Sequence, residues 1–341
     1  MSPRPSTEPG IPARVTIAQV ATRAGVSATT VSHVLSGKRV VGEATKGTVL
    51  EAIRELGYRP NHVARNLRTR RSHMIAVVVP DITNPFYSVL TRGLADAVDG
   101  AGYGTYVCNT DGIHERERKF FQDVLDRGAD GIVFASGETV SEVTFGPSEE
   151  ATPIVCIGEH LDHPLADAVL ADDEAGSRQA AEFLIAQGHR RIAMIQGPVR
   201  SARARTAGFR AAMQSAKRKV PAELMVRGDW TRAGGYQAMK ALMALRQPPD
   251  AVFCANDLMA IGALDVAHEL ELDVPGDLAV VGFDDVDAAT IVSPPLTTLR
   301  NPAYEAGSAA GDLLLSRVTG RYTGAGRTVV LPCALVPRRS A

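Results

Sequence analysis

From Met74 onward the chain repeats one unit, a short apolar, β-branched run that closes on polar residues, followed by a helical stretch. MIAVVVPD, YGTYVCNTD, GIVFAS, IVCIG, RIAMIQG, AVFCAND and AVVGFDD all have this form. Strands without polar alternation are buried on both faces, and strands alternating with helices build doubly wound parallel α/β sheets. Ligands of such sheets sit at the carboxyl ends of the strands. The candidate site residues are therefore Asp81, Asn109, Asp111, Asn256, Asp257, Asp284 and Asp285.

The first 73 residues follow another rule. They hold 12 Lys+Arg against 4 Asp+Glu, whereas the rest holds 25 against 34, so a net charge of −1 conceals a basic head on an acidic body. VTIAQVATRAGVSATTVSHVL, residues 15–35, reads as two short amphipathic helices joined at Gly25. Thr16 and Gln19 have capping-box spacing, and Ser27 caps the second helix. Val31, Val34 and Leu35 are expected to face inward; Ala28, Thr29, Ser32 and His33 are expected to face outward. A third helix is predicted from Glu43 to Leu56, stopped by Gly57. Three helices in about 45 residues make a head whose second helix fits a DNA major groove.

Other classes are excluded by what the sequence lacks. At 341 residues with 45% hydrophobic content, the chain can bury a sizeable core in more than one domain. No 18-residue apolar run and no signal-like leader occur, so no membrane association is expected and the location is cytoplasmic, at the nucleoid. Cys108, Cys156, Cys254 and Cys333 are scattered, without metal-ligand spacing, and are expected to be buried thiols. GxSxG, GxGxxG, GxxxxGK[ST], HExxH and CxxC are all absent, so no enzyme, cofactor or metal is expected.

VTIAQVATRAGVSATTVSHVLSG, LGYRPNHVARNLRTRRS and IAVVVPDITNPFY together resemble the lactose/galactose repressor family of bacterial transcription regulators, and the likeness runs from about Val15 to Val336. It implies a three-helix helix-turn-helix head, a hinge helix, and a periplasmic-binding-protein-like α/β body of two Rossmann-like lobes. The implied boundaries are a disordered tail at 1–14, the head at 15–60, the hinge at 61–73 and the effector-binding and dimerisation body at 74–341. One lobe takes about 74–171 and 300–331, the other about 172–299 and 332–341.

On DNA, the resemblance gives Ala28, Thr29 and His33 base-reading positions, with Thr16, Ser27, Thr30 and Ser32 beside them. His33 matches the purine-repressor branch, where many relatives carry Arg, and Gly42 replaces a frequent Ser cap. In the hinge, Asn61 is the cap, Leu67 matches a leucine that wedges between base pairs from the minor groove, and Arg65 and Arg68, with Arg70 and Arg71, hold phosphates. In the body, the resemblance assigns Asn84, Phe86, Tyr87, Arg205, Trp230, Asn256 and Asp284 to a small-molecule effector. Gly158 and Glu159 stand where relatives often carry Asp, and Asp172 and Asp173 are expected to stabilise the lobe crossing.

The function so implied is a homodimeric repressor on near-palindromic double-stranded operator DNA, its affinity set by an effector between the lobes. A sugar or sugar derivative is favoured by Trp230 and the acidic residues, a nucleobase or nucleoside second. A transcriptional activator of the same family, or a solute-binding protein, is the alternative. With no heptad repeat before PRRSA, no coiled-coil tetramer is expected.

Overall fold

A computed structural model describes residues 15–37, 39–59, 71–135, 152–158, 166–198 and 202–341. The chain forms two units, Met1–Ser72 and His73–Ala341. The expected tail, the hinge residues Asn61, Arg65, Leu67, Arg68 and Arg70, and Glu159 lie outside the described residues.

In the head, α1 (Ile17–Ala24) starts from a reciprocal cap. Thr16 Oγ1 accepts the Gln19 N–H at 3.4 Å, and Gln19 Oε1 accepts the Thr16 N–H at 2.8 Å. Gly25, at φ 65°, makes the turn into α2 (Ala28–Ser36), where Ser27 Oγ accepts the Thr30 N–H at 3.1 Å. Helix α3 (Glu43–Leu56) begins at Gly42 with no side-chain cap and stops at Gly57, φ 62°. Val20, Ala21, Ala24, Val31, Val49 and Ala52 form the small core. Leu35, expected to face inward, is instead 38% exposed. Val31 is the only fully buried residue of α2, so the last helical turn, which carries Leu35, runs past a core too small to cover it.

The body opens with β1 (Met74–Val79), α4 (Pro85–Asp99), β2 (Gly104–Asn109), α5 (His114–Asp126), β3 (Gly131–Phe134), β4 (Ile154–Ile157) and β5 (Asp167–Ala171). Next come α6 (Asp173–Ala186), β6 (Ile192–Gln196), α7 (Arg203–Ser215), β7 (Met225–Arg227), α8 (Arg232–Met243), β8 (Ala251–Cys254), α9 (Asp257–Glu269), β9 (Ala279–Val281) and the short α10 (Ala288–Ile291). The last elements are β10 (Thr298–Arg300), α11 (Ala303–Val318), β11 (Thr328–Leu331) and β12 (Ala334–Val336).

Two parallel sheets result, ordered β11-β5-β4-β3-β1-β2 and β7-β6-β8-β9. Strand order reverses beside β1 in the first sheet and beside β6 in the second, and these switch points open the crevices where ligands bind. The chain leaves the first sheet after β5, re-enters it as β11, and leaves again for β12, which pairs antiparallel with β10.

Alternate residues of β1 face opposite ways, as strand geometry requires. Ile75, Val77 and Val79 meet Leu90, Leu94 and Leu314, while Ala76 and Val78 meet Phe121, Ile132 and Phe134. The second sheet buries Met194, Phe209, Met239, Leu242 and Phe253. All four cysteines are buried free thiols. No helix among the described residues is long and apolar enough to cross a membrane.

Helices α4 and α11 touch at backbone distance. A Cβ on Gly307 would stand 1.9 Å from Leu90 O, and one on Gly93 2.0 Å from Tyr304 O. Gly307→Ala must therefore part the two helices, because no flexible side chain can yield. It is expected to cost about 1–3 kcal/mol, read as a lower urea midpoint at unchanged slope.

Candidate functional site

The cleft assembles where loops leave the carboxyl ends of strands and helices begin. After β1, Asn84 caps α4, its Oδ1 accepting the Phe86 N–H at 3.1 Å. Pro85 at the first helical position suits that start. Phe86 and Tyr87 follow, their rings edge to face at 5.2 Å. Asp81 folds its own loop by accepting from Thr83 N at 2.8 Å and Thr83 Oγ1 at 2.7 Å. After β2, Asp111 sits at φ 55°, accepts from Asn109 Nδ2 at 2.6 Å and pairs with Arg116.

The other sheet contributes Arg205 from the first turn of α7, Asp173 from the first turn of α6, Trp230 ahead of α8, Asn256 at the start of α9 and Asp284 after β9. Together with the first group they line a cavity of about 570 Å³. Asn84, Phe86, Tyr87, Arg205, Trp230, Asn256 and Asp284 all face it, as do Asp81 and Asp111.

Three strand-end candidates do not line the cavity. Asn109 holds the loop after β1, accepting the Ile82 N–H at 2.8 Å. Asp257 is fully buried and accepts from Val286 N at 2.9 Å and from Thr298 Oγ1. Asp285 pairs with Arg300 and Arg338. Proximity to a strand end cannot tell an inward carboxylate from one turned back into the scaffold.

Arg205 organises the cleft. It is only 8% exposed, with Nε 3.3 Å from Asp173 Oδ1 and Nη2 3.4 Å from Asp284 Oδ1. Its Nη1 donates to Ala255 O, and its guanidinium lies over the Phe283 ring at 3.8 Å. Trp230 stands 5.5 Å off on another side. The aspartates need this cation. Burial drives the Asp284 carboxyl up to about 6, with Arg205 and Asn301 pulling the other way. Burial likewise raises Asp173 despite Arg205, and raises the Tyr87 phenol, with the Asp284 charge adding to it.

The backbone here is strained. Trp230 has φ 71° and Asp284 φ 113°, conformations that side-chain-bearing residues hold only when their surroundings over-determine them. Asn256 supplies part of that for Trp230, giving its Nδ2–H to Trp230 O at 2.9 Å while its Oδ1 accepts the Met259 N–H at 3.0 Å. For Asp284 it is the side chain that is held, Asn301 Nδ2–H donating to its Oδ1 at 3.1 Å.

Sequence reasoning missed Glu117, Asp229 and Asn301 as lining residues, and placed Asp173 at the lobe crossing although it faces the cavity. Asp172 has the structural role instead, accepting the Ala175 N–H at 3.1 Å. Asp229 precedes the flagged Trp230 and was findable. Glu117 lies inside a charged helix pattern, HERERK, which gives no inward signal.

On the head, Ala28 and Thr29 are exposed, and Thr30, Ser32 and His33 are half-buried. The hydroxyls of Thr16 and Ser27 serve their helix caps, and Thr30 Oγ1 lies 2.9 Å from Ser27 Oγ. No group of His, Cys, Asp and Glu among the described residues could hold a metal ion.

Residues 16–61 match the lacI family of bacterial regulatory proteins, and residues 181–341 match a periplasmic binding protein-like domain. The chain is 38% identical to the ribose operon repressor of Escherichia coli (strain K12) over 89% of its own length and 93% of that protein. It belongs to the lacI family. Its fold superposes on the Lac repressor bound to ONPG in the repressed state with a TM-score of 0.84 at 27% identity, covering 96% of this chain and 100% of that one. The transcriptional regulator CelR in its cellobiose complex gives 0.71 at 32% identity, with 96% and 100% covered. This lacI-family chain is a DNA-binding transcriptional regulator rather than an enzyme.

Proposed function

We propose that the chain is a homodimeric repressor at the nucleoid, gripping near-palindromic double-stranded operator DNA with two heads under the control of a sugar-like effector in the body cleft. The observation that carries this is the convergence of seven effector-assigned side chains on one cavity, in a chain that also holds a helix-turn-helix head. An operon repressor named for ribose and a regulator complexed with cellobiose are among its relatives, which supports a sugar.

In this reading Ala28, Thr29 and His33 read bases with Ser32 on the same face, Thr30 donates to bases or phosphates, and Thr16 and Ser27 belong to the DNA-binding surface. Asn61, Arg65, Leu67 and Arg68 form the minor-groove hinge. A threonine methyl suits a thymine methyl, and an apolar wedge opens a base step in exchange for a bent, better-wrapped duplex. Effector and operator are linked by a coupling free energy, of order 1–3 kcal/mol in such systems.

Selection of duplexes from a random pool by the purified full chain tests the reading. A two-fold motif with half-sites about one or two helical turns apart is expected. Absence of enrichment at low salt, with and without sugars and nucleosides, sinks it.

A further inference from the structure

The cleft is walled by helix amino ends, the ordinary seats for phosphate because their N–H groups are unfilled and their dipoles positive. Four of those ends are capped by side chains, whereas α7 starts at Ala202 with no side-chain cap and carries Arg205 in its first turn. Asn84 takes the Phe86 N–H of α4, and Asp172 takes the Ala175 N–H of α6. Thr231 takes the Gly234 N–H of α8 at 3.0 Å, and Asn256 takes the Met259 N–H of α9. Helix α5 has no side-chain cap but carries Glu115 and Glu117 in its first turn, the latter only 2% exposed.

The charge balance points the same way. Asp81, Asp111, Glu117, Asp173, Asp229 and Asp284 line the cavity against one cationic side chain among the described residues, Arg205. That guanidinium is already shared by two carboxylates, a carbonyl and an aromatic ring. Its Nε is itself buried, facing Asp173 Oδ1 at 3.3 Å. The cleft thus offers many acceptors and few donors, and it suits a ligand rich in O–H groups with an occasional acceptor oxygen.

We infer that the effector is an uncharged, donor-rich polyhydroxyl compound, and that the cleft rejects its phosphate ester and its acid. This deepens the proposed function and rests on the cleft being the effector site. A regulator so built reads its compound ahead of any kinase reaction that would phosphorylate it. One added negative charge about 6 Å from a single lining carboxylate weakens binding about 100-fold at the effective dielectric of a protein surface, and here several carboxylates face the ligand.

The test uses the full chain and paired probes by calorimetry: D-ribose and ribose 5-phosphate, D-glucose and glucose 6-phosphate, D-gluconate, cytidine and cytidine 5′-monophosphate. A neutral member should bind, with its charged partner about 100-fold weaker or worse, and Asp229→Asn should narrow that gap. A phosphate ester that binds tighter than its parent, and is lost in Trp230→Ala, overturns the inference while leaving the cleft as the effector site. A bound ligand indifferent to Trp230→Ala overturns the cleft itself, and the inference with it. A second measurement needs no identified ligand. Inorganic phosphate should raise the melting temperature of the wild type no more than chloride at equal ionic strength, and selective stabilisation by phosphate that Arg205→Met removes also overturns the inference.

Discussion

Arg205→Ala is expected to cost the body about 3–5 kcal/mol and to abolish effector binding. The guanidinium lies between two carboxylates, Asp173 at 3.3 Å and Asp284 at 3.4 Å, whose side chains are 20% and 7% exposed. Removing one partner of a buried ionic group leaves the others uncompensated, which is far more damaging than replacing the whole group by neutral residues. Two like charges would then face each other across an emptied site, and the Phe283 ring would lose its stacked cation. Urea unfolding measures the loss. The triple variant Arg205→Ala, Asp173→Asn, Asp284→Asn should recover most of the stability and none of the binding, since neighbouring substitutions in one network do not add. A single variant that loses under about 1 kcal/mol would show that water, not Arg205, already solvates the aspartates.

Much of this was legible from sequence, for definite reasons. Apolar runs closing on Asp or Asn placed β1, β2, β8 and β9, and one closing on Gln196 placed β6, because a parallel strand buried on both faces leaves a continuous apolar signal. Strand β2, expected to be buried, is instead a rim strand with Tyr106 and Val107 exposed. Strands β5, β7, β10, β11 and β12 left weaker traces. At three residues, β7, β10 and β12 are too short for periodicity, and β5 and β11 lie towards the rim of their sheet. The head was readable through Thr16, Gln19, Ser27, Gly25 and Gly57, each a local cap or turn whose chemistry does not depend on the fold. Leu35 failed because inward spacing says nothing about how far a small core extends. In the cleft, the aromatic and arginine positions came from the family resemblance. Asp172 and Asp173 were placed together at the lobe crossing because adjacent identical residues carry no signal that separates them, and only packing reveals that the first caps α6 while the second turns to Arg205.

Asp284 gives the last expectation, in which stability and binding respond to pH in opposite directions. Burial, partly countered by Arg205 and Asn301 and reinforced by Asp173, sets its carboxyl at about 6 against an ordinary value of 3.8. Asp257, whose own carboxyl is pushed up by burial and by the charge of Asp284, stands behind it. Between those two pH values the native state holds a proton that the unfolded chain has released. The contribution to stability is therefore complete below 3.8 and lost as the pH rises through about 6. Two pKa units correspond to about 3 kcal/mol in full, roughly half of it lost between pH 5 and 7.5. Asp284→Asn, which stays neutral throughout, should gain on the wild type by about 1–2 kcal/mol across that interval. Effector affinity should move the other way. An ionised Asp284 accepts ligand hydroxyls with full strength, so wild-type affinity is expected to fall about tenfold from pH 7.5 to 5, with its midpoint near 6. In Asp284→Asn that step should vanish, with affinity low at both ends. Calorimetry across the range, beside urea melts of both proteins, checks the two slopes together. A wild-type binding profile flat through pH 6 would remove Asp284 from ligand contact and leave it as a clamp on Arg205 alone.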